Sequence, residues 1–284
     1  MAIKDRLICL ARDVRYRVTE PLMLRYERLF AGTSKPDTWE YHGRAYFSYR
    51  PRISVYIPTH NRANLLLSRA LPSVMAQDYR NFEIIVAAHG CTDDTAEKVL
   101  TAYPLGKEPS VWVVNVPRTM TYPATAENHW LAGPVVPANA ALGFCGGEWI
   151  ARIDDDDEWT PDHLSQLMAF AVKTDAEFVS AAHETHEGPV EPYGVRGNKV
   201  GGTQTWLYRS YLKFFKYNPD CWRKTWNRVN DTDLQDRMAR AGVRMKYLNR
   251  VVARVLPRPG TSVVGLRAYT QNSADKEREL SFAG

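Results

Sequence analysis

From residue 51 onward the apolar positions come in short β-branched runs separated by stretches of helical spacing. Ile53 to Ile57 is one such run, stopped by Pro58, and Leu65, Leu66, Ala70, Val74 and Met75 then recur on one helical face. Phe82 to Ala87 and Val111 to Val114 predict the second and third strands, with a helix over 92–103 between them. Residues 139–144 read as a helix end that leads into a strand over 148–153, followed by a helix over 161–172. A strand over 177–182 and a helix over 232–241 come later. Repeated alternation of this kind predicts an α/β fold with a mostly parallel central sheet flanked by helices.

Before residue 51 the pattern differs. Ile3, Leu7, Leu10, Val14 and Val18 recur at helical spacing, while Lys4, Arg6, Arg12, Arg15 and Arg17 cover much of the remaining surface, so a basic amphipathic helix is predicted. Pro21, suited to a first helical position, should start a second short helix that runs through Leu24 and Leu29 to a loop over 31–36. Of the chain's 37 Lys+Arg and 32 Asp+Glu, residues 1–52 hold 11 and 6, which accounts for the whole formal charge of +5. Three uses of this extension stay open on charge alone: a helical arm packed on the domain, a peripheral anchor on anionic lipid, or a patch for nucleic acid.

With 284 residues, 44% of them hydrophobic and 24% charged, the chain can bury a sizeable core, which excludes disorder, collagen and coiled coil. No repeat of fixed period is visible. The longest weakly apolar stretch, residues 135–147, is too short and too rich in Pro and Gly to cross a bilayer. The charged N-terminus lacks an apolar core of the secretory type. Cys9, Cys91, Cys145 and Cys221 are scattered without a C-x-x-C pair and read as reduced thiols of a cytoplasmic protein.

In open sheets of this kind ligands collect beyond the carboxyl ends of the strands. Three of those ends are unusual: Pro58-Thr59-His60-Asn61-Arg62, His89-Gly90-Cys91-Thr92-Asp93-Asp94, and Asp154-Asp155-Asp156-Asp157-Glu158. Gly-rich phosphate and dinucleotide loops are missing there, which counts against an ATPase or a dinucleotide enzyme. Five successive carboxylates repel one another, so they should either raise some of their pKa values or hold a cation. Mn²⁺ or Mg²⁺ is the natural choice, because a hard cation needs only one or two Asp and takes its other ligands from water and substrate phosphates. The alternative use is a solvated acidic turn capping the helix that begins near Pro161.

Taken together, the segments 54–62, 70–79 and 82–86 resemble the opening of family 2 glycosyltransferases. Asn139-Ala140-Ala141-Leu142, Gly147-Glu148-Trp149-Ile150 and the aspartate run are similar to that family's Asn-x-Ala segment, Gly-Glu-Tyr strand and D-x-D motif. Asn230-Asp231-Thr232-Asp233-Leu234-Gln235-Asp236-Arg237 is similar to the helix carrying the family's catalytic base. The resemblance spans roughly residues 52–256 and implies a GT-A fold preceded by an N-terminal helical extension. Its implied organisation is a basic extension over 1–50, a nucleotide-sugar-binding half over 51–162, an acceptor-binding half over 163–256, and a tail or flap over 257–284. It also implies a metal-dependent inverting transfer of sugar from a nucleoside-diphosphate sugar, UDP-linked by preference, to a hydroxyl of a glycan, a lipid-linked saccharide or a small molecule. Asp156 would bind Mn²⁺ or Mg²⁺, Asp154 or Asp155 the ribose, and Pro58, Thr59 and His60 would wall the base, with Asn61, Arg62 and His89 in the same nucleotide site. Asp231 would be the general base; the alternative is an ordinary N-cap.

Departures from the family pattern bear on the donor. Ala88-His89-Gly90-Cys91 stands where a uracil-reading Asp-Asp-Gly-Ser is usual, so base reading must differ; a neutral His89 would supply one acceptor nitrogen. Ala138 replaces a customary Arg, and Asn230 replaces the usual Glu beside Asp231. Residues 118–136, with Tyr122, His129 and Trp130, suit a lid or an acceptor-shaping insert. His183 and His186 read as part of a polar loop rather than a metal pair, and Trp206, Tyr208, Tyr211, Trp222 and Trp226 as sugar-stacking or core aromatics. Two rivals to the enzyme remain: a catalytically silent homologue that keeps the scaffold for binding, and a sugar transferase acting on nucleic acid. The expected location is cytoplasmic, with residues 1–31 in peripheral contact with the inner face of a membrane.

Overall fold

The structure, a computed structural model, describes residues 3–31, 38–41, 44–47, 50–226 and 228–270. The basic extension is one helix, α1 (Ile3–Phe30), where two were predicted, and Pro21 lies inside it. Tertiary contacts on both sides of the proline hold that turn. Leu24 is buried, and the buried carboxylate of Glu20 pairs with Arg237. A small antiparallel hairpin follows, β1 (Thr38–Tyr41) with β2 (Arg44–Phe47).

The main body runs β3 (Ile53–Thr59), α2 (Ala63–Leu65), a π turn (Leu66–Ala70), α3 (Leu71–Met75), β4 (Phe82–His89), α4 (Thr95–Ala102) and β5 (Val111–Val116). It continues through α5 (Ala126–Ala132), α6 (Val135–Phe144), β6 (Trp149–Arg152), β7 (Asp157–Trp159), α7 (His163–Thr174) and β8 (Phe178–Thr185). Short strands β9 (Gly188–Val190), β10 (Tyr193–Val195), β11 (Asn198–Val200) and β12 (Leu207–Arg209) precede α8 (Asn230–Ala241), β13 (Met245–Val255) and α9 (Leu266–Thr270). The main sheet has the order β5-β4-β3-β6-β12-β8-β13-β7, with β9 on β8. Pairs β5-β4, β4-β3, β3-β6 and β8-β13 are parallel. Only residues 153–156 separate β6 from β7 although three strands lie between them in the sheet, so the sheet curls and the aspartate run bridges its two limbs.

Every residue of β3 and β4 is buried, as parallel strands covered on both faces require. Ile53, Val55 and Ile57 pack on one side with Leu66, Leu71, Val74, Leu164 and Leu167; Tyr56 and Ile85 pack on the other with Val135, Ala138, Ala141, Leu142, Leu234 and Met238. Strand β3 continues past Pro58 to Thr59. It pairs with β6 only up to Tyr56, so the missing N–H of Pro58 costs no hydrogen bond on that side. His183, expected in a loop, lies on β8 opposite Val190 and Ala253.

Candidate active site

The ends of β3, β4 and β6 open into two adjoining clefts. One is lined by Pro58, Thr59, His60, Arg62, His89, Arg118, His129 and Asp155. The other is lined by Trp130, Arg152, Asp157, Thr203, Gln204, Asn230 and Asp231. Asp154, Asp156, Arg258 and Tyr269 belong to both, so the aspartate run sits at the junction.

Mutual repulsion among the carboxylates is relieved here in part by arginines, beside the raised pKa values that crowding leads one to expect. Asp154 Oδ1 accepts from Arg152 Nη2 at 2.9 Å. Asp155 accepts from Thr59 Oγ1 at 2.7 Å and from Arg62 Nη1 at 3.0 Å, which occupies both of its oxygens. Asp156 Oδ2 pairs with Arg258, and Arg62 Nη1 lies 3.7 Å away. Burial pushes the Asp156 carboxyl upward, but Arg258 and Arg62 outweigh it and hold the group below the usual carboxylate range. For Asp155 and Asp157 burial prevails, with the neighbouring carboxylates adding to it, and both are raised.

The donor set still suits a hard cation. No side chain among the described residues bonds Asp154 Oδ2 or Asp156 Oδ1, and both residues line both clefts. No cluster of three or more His, Cys, Asp or Glu side chains forms a closed metal cage among the described residues. That is compatible with Mn²⁺ or Mg²⁺, which draws much of its shell from water and phosphate. Positive charge is also on offer to an anion. Arg118 Nε and Nη2, Arg152 Nη1 and Arg258 Nη1 are buried in these walls without a hydrogen-bond partner among the described residues. Buried donors left unpaired are costly, and an anionic ligand would satisfy them.

Around the first cleft, His60 Nδ1 donates to the His89 carbonyl at 2.7 Å, which holds its ring in the wall. His89 Nε2 accepts the Thr119 backbone N–H at 3.1 Å and the Arg118 guanidinium lies 3.2 Å from Nδ1, so protein donors already face both ring nitrogens. The expected role of His89 as an acceptor for the base is thereby removed. Burial first, then Arg118, lowers the His89 pKa to about 4, and the ring stays neutral. Arg118 reaches this position because Gly90 adopts a positive φ of 57° and a Cβ there would lie 2.5 Å from Arg118 Cβ. Asn61 is absent from both linings. Its Oδ1 accepts the Thr92 N–H at 2.7 Å and ties the first strand-end loop to the second.

Asp231 lies in the first turn of α8 rather than at its N-cap, which is Val229. Its Oδ1 accepts the N–H of Thr232 at 2.7 Å. Burial raises its pKa; Arg152 and the Thr232 N–H oppose this without cancelling it. A carboxylate with raised affinity for a proton, at the wall of a cleft, is equipped to act as a base. Asn230 donates instead to the Leu131 carbonyl at 2.9 Å, fastening α8 to α5.

A family model for glycosyl transferase family 2 matches residues 54–239. The chain belongs to that family. WcaA of Escherichia coli (strain K12), assigned by its name to colanic acid biosynthesis as a glycosyl transferase, is 40% identical over 119 residues, 42% of this chain and 37% of that protein. A GalNAc(5)-diNAcBac-PP-undecaprenol beta-1,3-glucosyltransferase of Campylobacter jejuni is 31% identical over 118 residues, again 42% of this chain and 34% of that protein. These matches therefore span about a third of the relatives' lengths. Among solved structures, the mannosyltransferase PcManGT of Pyrobaculum calidifontis, in complex with GDP-Man and Mn²⁺, superposes with a TM-score of 0.57 at 17% identity over 99% of this chain and 76% of that one. Residues 1–349 of S. aureus TarS, in complex with UDP-GlcNAc, give a TM-score of 0.57 at 18% identity over 82% and 70%. The shared fold is GT-A, a curled, mostly parallel sheet flanked by helices.

Of the residues singled out from the sequence, Pro58, Thr59, His60, Arg62, His89, Asp154, Asp155, Asp156 and Asp231 converge on the two clefts. Arg118, Arg152, Arg258 and Tyr269 were not given a site role by sequence reasoning. Arg152 sits one residue beyond Ala151 in a strand of apolar residues, and a buried guanidinium on such a strand was a readable signal. Arg258 had none, because a turn-rich tail does not reveal what it folds against. Residues of the 257–270 segment line the clefts: Arg69 bonds the Pro257 carbonyl at 2.9 Å, and Arg258 bonds the Tyr269 hydroxyl at 2.8 Å. Residues 271–284 lie outside the described residues. In the 118–136 segment, Tyr122 bonds His129 and α5 packs against α9.

Proposed function

We propose that the protein is an inverting, divalent-cation-dependent glycosyltransferase that moves a sugar from a nucleoside-diphosphate donor, UDP-linked by preference, to a hydroxyl acceptor. The carrying observation is the junction of two clefts at Asp154 and Asp156, with unpaired arginine donors in the walls and Asp231 across from them. The base and ribose occupy the cleft of Pro58, Thr59 and His60, with the free oxygen of Asp154 bonding the ribose. Asp156 would hold Mn²⁺ or Mg²⁺. A bound divalent ion neutralises charge on the departing diphosphate.

Arg118, Arg152 and Arg258 bind and orient the diphosphate through their unpaired donors. The acceptor enters the second cleft, from the half formed by residues 163–256, where Asp231 takes the proton of its hydroxyl. The oxygen then attacks C1 from the face opposite the leaving group. The bond between C1 and the phosphate oxygen breaks, and the nucleoside diphosphate leaves with that electron pair. Inversion at C1 follows. For the acceptor, the Campylobacter relative's name points to a saccharide on a lipid diphosphate, and a cytoplasmic site at a membrane face accords with it.

A thermal-shift screen of nucleoside diphosphates with and without Mn²⁺ tests the reading, since a ligand of the folded state raises the melting temperature. Stabilisation by UDP that grows with Mn²⁺, together with release of UDP from a UDP-sugar, is expected. A protein that binds neither UDP nor GDP, or that binds one and turns over no sugar donor, is a silent scaffold and the reading falls.

A further inference from the structure

Helix α1 is amphipathic the wrong way round for a helix that merely packs on a domain. Apart from buried Leu24, its inward side is polar: Asp5 pairs with Arg223, Asp13 with Arg240 at 2.9 Å, and Glu20 with Arg237, while Arg28 makes a two-pronged bond to the buried Glu177 at 2.6 and 2.5 Å. Its outward side is apolar. Leu7, Leu10, Val14, Val18, Leu22 and Leu29 follow one another at helical spacing and are 52–80% exposed. A stripe of this length, along a helix of 28 residues or about 42 Å, is more than scattered surface apolarity.

Charge is sorted in the same sense. Lys4, Arg15 and Arg25 are exposed on the outward side, and they have no carboxylate partner among the described residues. All four acidic residues of α1 lie on the inward side: Asp5, Asp13 and Glu20 in the pairs above, and half-buried Glu27 one heptad after Glu20. The outward side thus combines an apolar stripe with bases and no acid. Beside Leu10, across a shallow depression, stands Trp226, 57% exposed and next to Lys224, an amphipathic ring suited to a headgroup boundary. No helix of the described residues is long and apolar enough to cross a membrane.

We infer that the outward side of α1, with Trp226, is a docking surface for a bilayer rich in anionic phospholipid, on which the helix lies parallel to the membrane plane. The apolar stripe enters the headgroup region while Lys4, Arg15 and Arg25 meet lipid phosphates. A second copy of this chain fits less well, since two such faces would bring like charges together without a carboxylate to pair them. The surface is joined to the cleft by one element: α8, which packs on the inward side of α1 through Arg237 and Arg240, carries Asp231 in its first turn.

The test is flotation of the full chain with phosphatidylcholine vesicles containing phosphatidylglycerol, or none, at about 0.05 M and about 0.5 M salt. Binding to the anionic vesicles at low salt, weakened at high salt, is expected. A Lys4→Gln/Arg15→Gln/Arg25→Gln variant should bind about 100-fold more weakly, at about fivefold per base. Val18→Asp/Leu22→Asp should abolish binding while the melting temperature and the UDP-induced shift stay as in the parent. The donor screen is run on soluble protein without vesicles, so a failure of the docking surface and a failure of the glycosyltransferase reading are told apart. Absence of flotation overturns the inference, as does flotation unchanged in both variants. So does a dimer in sedimentation that Val18→Asp/Leu22→Asp splits without vesicle binding, or salt-dependent binding to duplex DNA in place of vesicles.

Discussion

Replacing Asp231 by Asn removes the charge proposed to accept the acceptor's proton and little else. The side-chain oxygen of Asn can still take the Thr232 N–H that Asp231 Oδ1 holds at 2.7 Å, so α8 keeps its first turn. Arg152 keeps its bonds to Asp154 at 3.2 and 2.9 Å. A positioned base contributes about 10²–10⁴ in rate, or about 3–5 kcal/mol of barrier, and kcat should fall by that factor. The assay is release of nucleoside diphosphate, with acceptor, from whichever sugar donor stabilises the protein, beside a thermal shift with the same nucleotide. The pH profile adds an independent readout. The base works only when ionised, so the parent's rate falls as pH drops through the Asp231 pKa. Burial raises that pKa, and the acid limb should therefore lie above the ordinary Asp range. The variant's residual rate should lack that limb. An unchanged kcat in Asp231→Asn refutes the role, and a lost nucleotide shift would mean that the residue serves binding or folding instead.

Asp156→Asn should remove the Mn²⁺-dependent part of the nucleotide shift while leaving the part that nucleotide produces alone. Arg118→Ala and Arg258→Ala each delete a donor group facing the clefts and should weaken UDP binding in calorimetry by about 10- to 100-fold, the equivalent of one charge-assisted hydrogen bond; an unaltered Kd removes that residue from the diphosphate site. Arg28→Ala takes two hydrogen bonds from Glu177 and should cost about 1–3 kcal/mol in urea unfolding. Burial alone would push Glu177 up, but Arg28, the Arg244 amide and Tyr211 hold it below the usual Glu range. Its stabilising contribution is therefore full at neutral pH and lost as pH falls through that depressed value, and the parent should lose more stability on acidification than Arg28→Ala does.

The alternation of strands and helices was readable because a parallel strand covered on both faces must be apolar throughout, whatever residues cover it, as β3 and β4 are. Boundaries were less so. Pro58 looked like a stop, yet β3 continues because β6 has already parted from it, a fact of register rather than of residue type. Pro21 looked like a helix start, yet Glu20 and Leu24 anchor an unbroken α1. In the site, the aspartate run and Asp231 were visible as carboxylates at strand and helix ends.

What neutralises those carboxylates was decided only in three dimensions. Arg62 precedes Asp155 by 93 positions and Arg258 follows Asp156 by 102, and nothing local announces that either reaches a carboxylate. The same holds for Thr119, which claims Nε2 of His89, and for Thr92, which claims Asn61. Hydrophobic burial is non-directional and leaves its period in the chain, whereas ion pairs and hydrogen bonds act over a few ångströms between groups that only the completed fold brings within reach. Residue types and their order thus determined the sheet, the family and the carboxylates available for chemistry. Tertiary structure decided their partners, which of their oxygens stay open, and that the polar side of α1 faces inward.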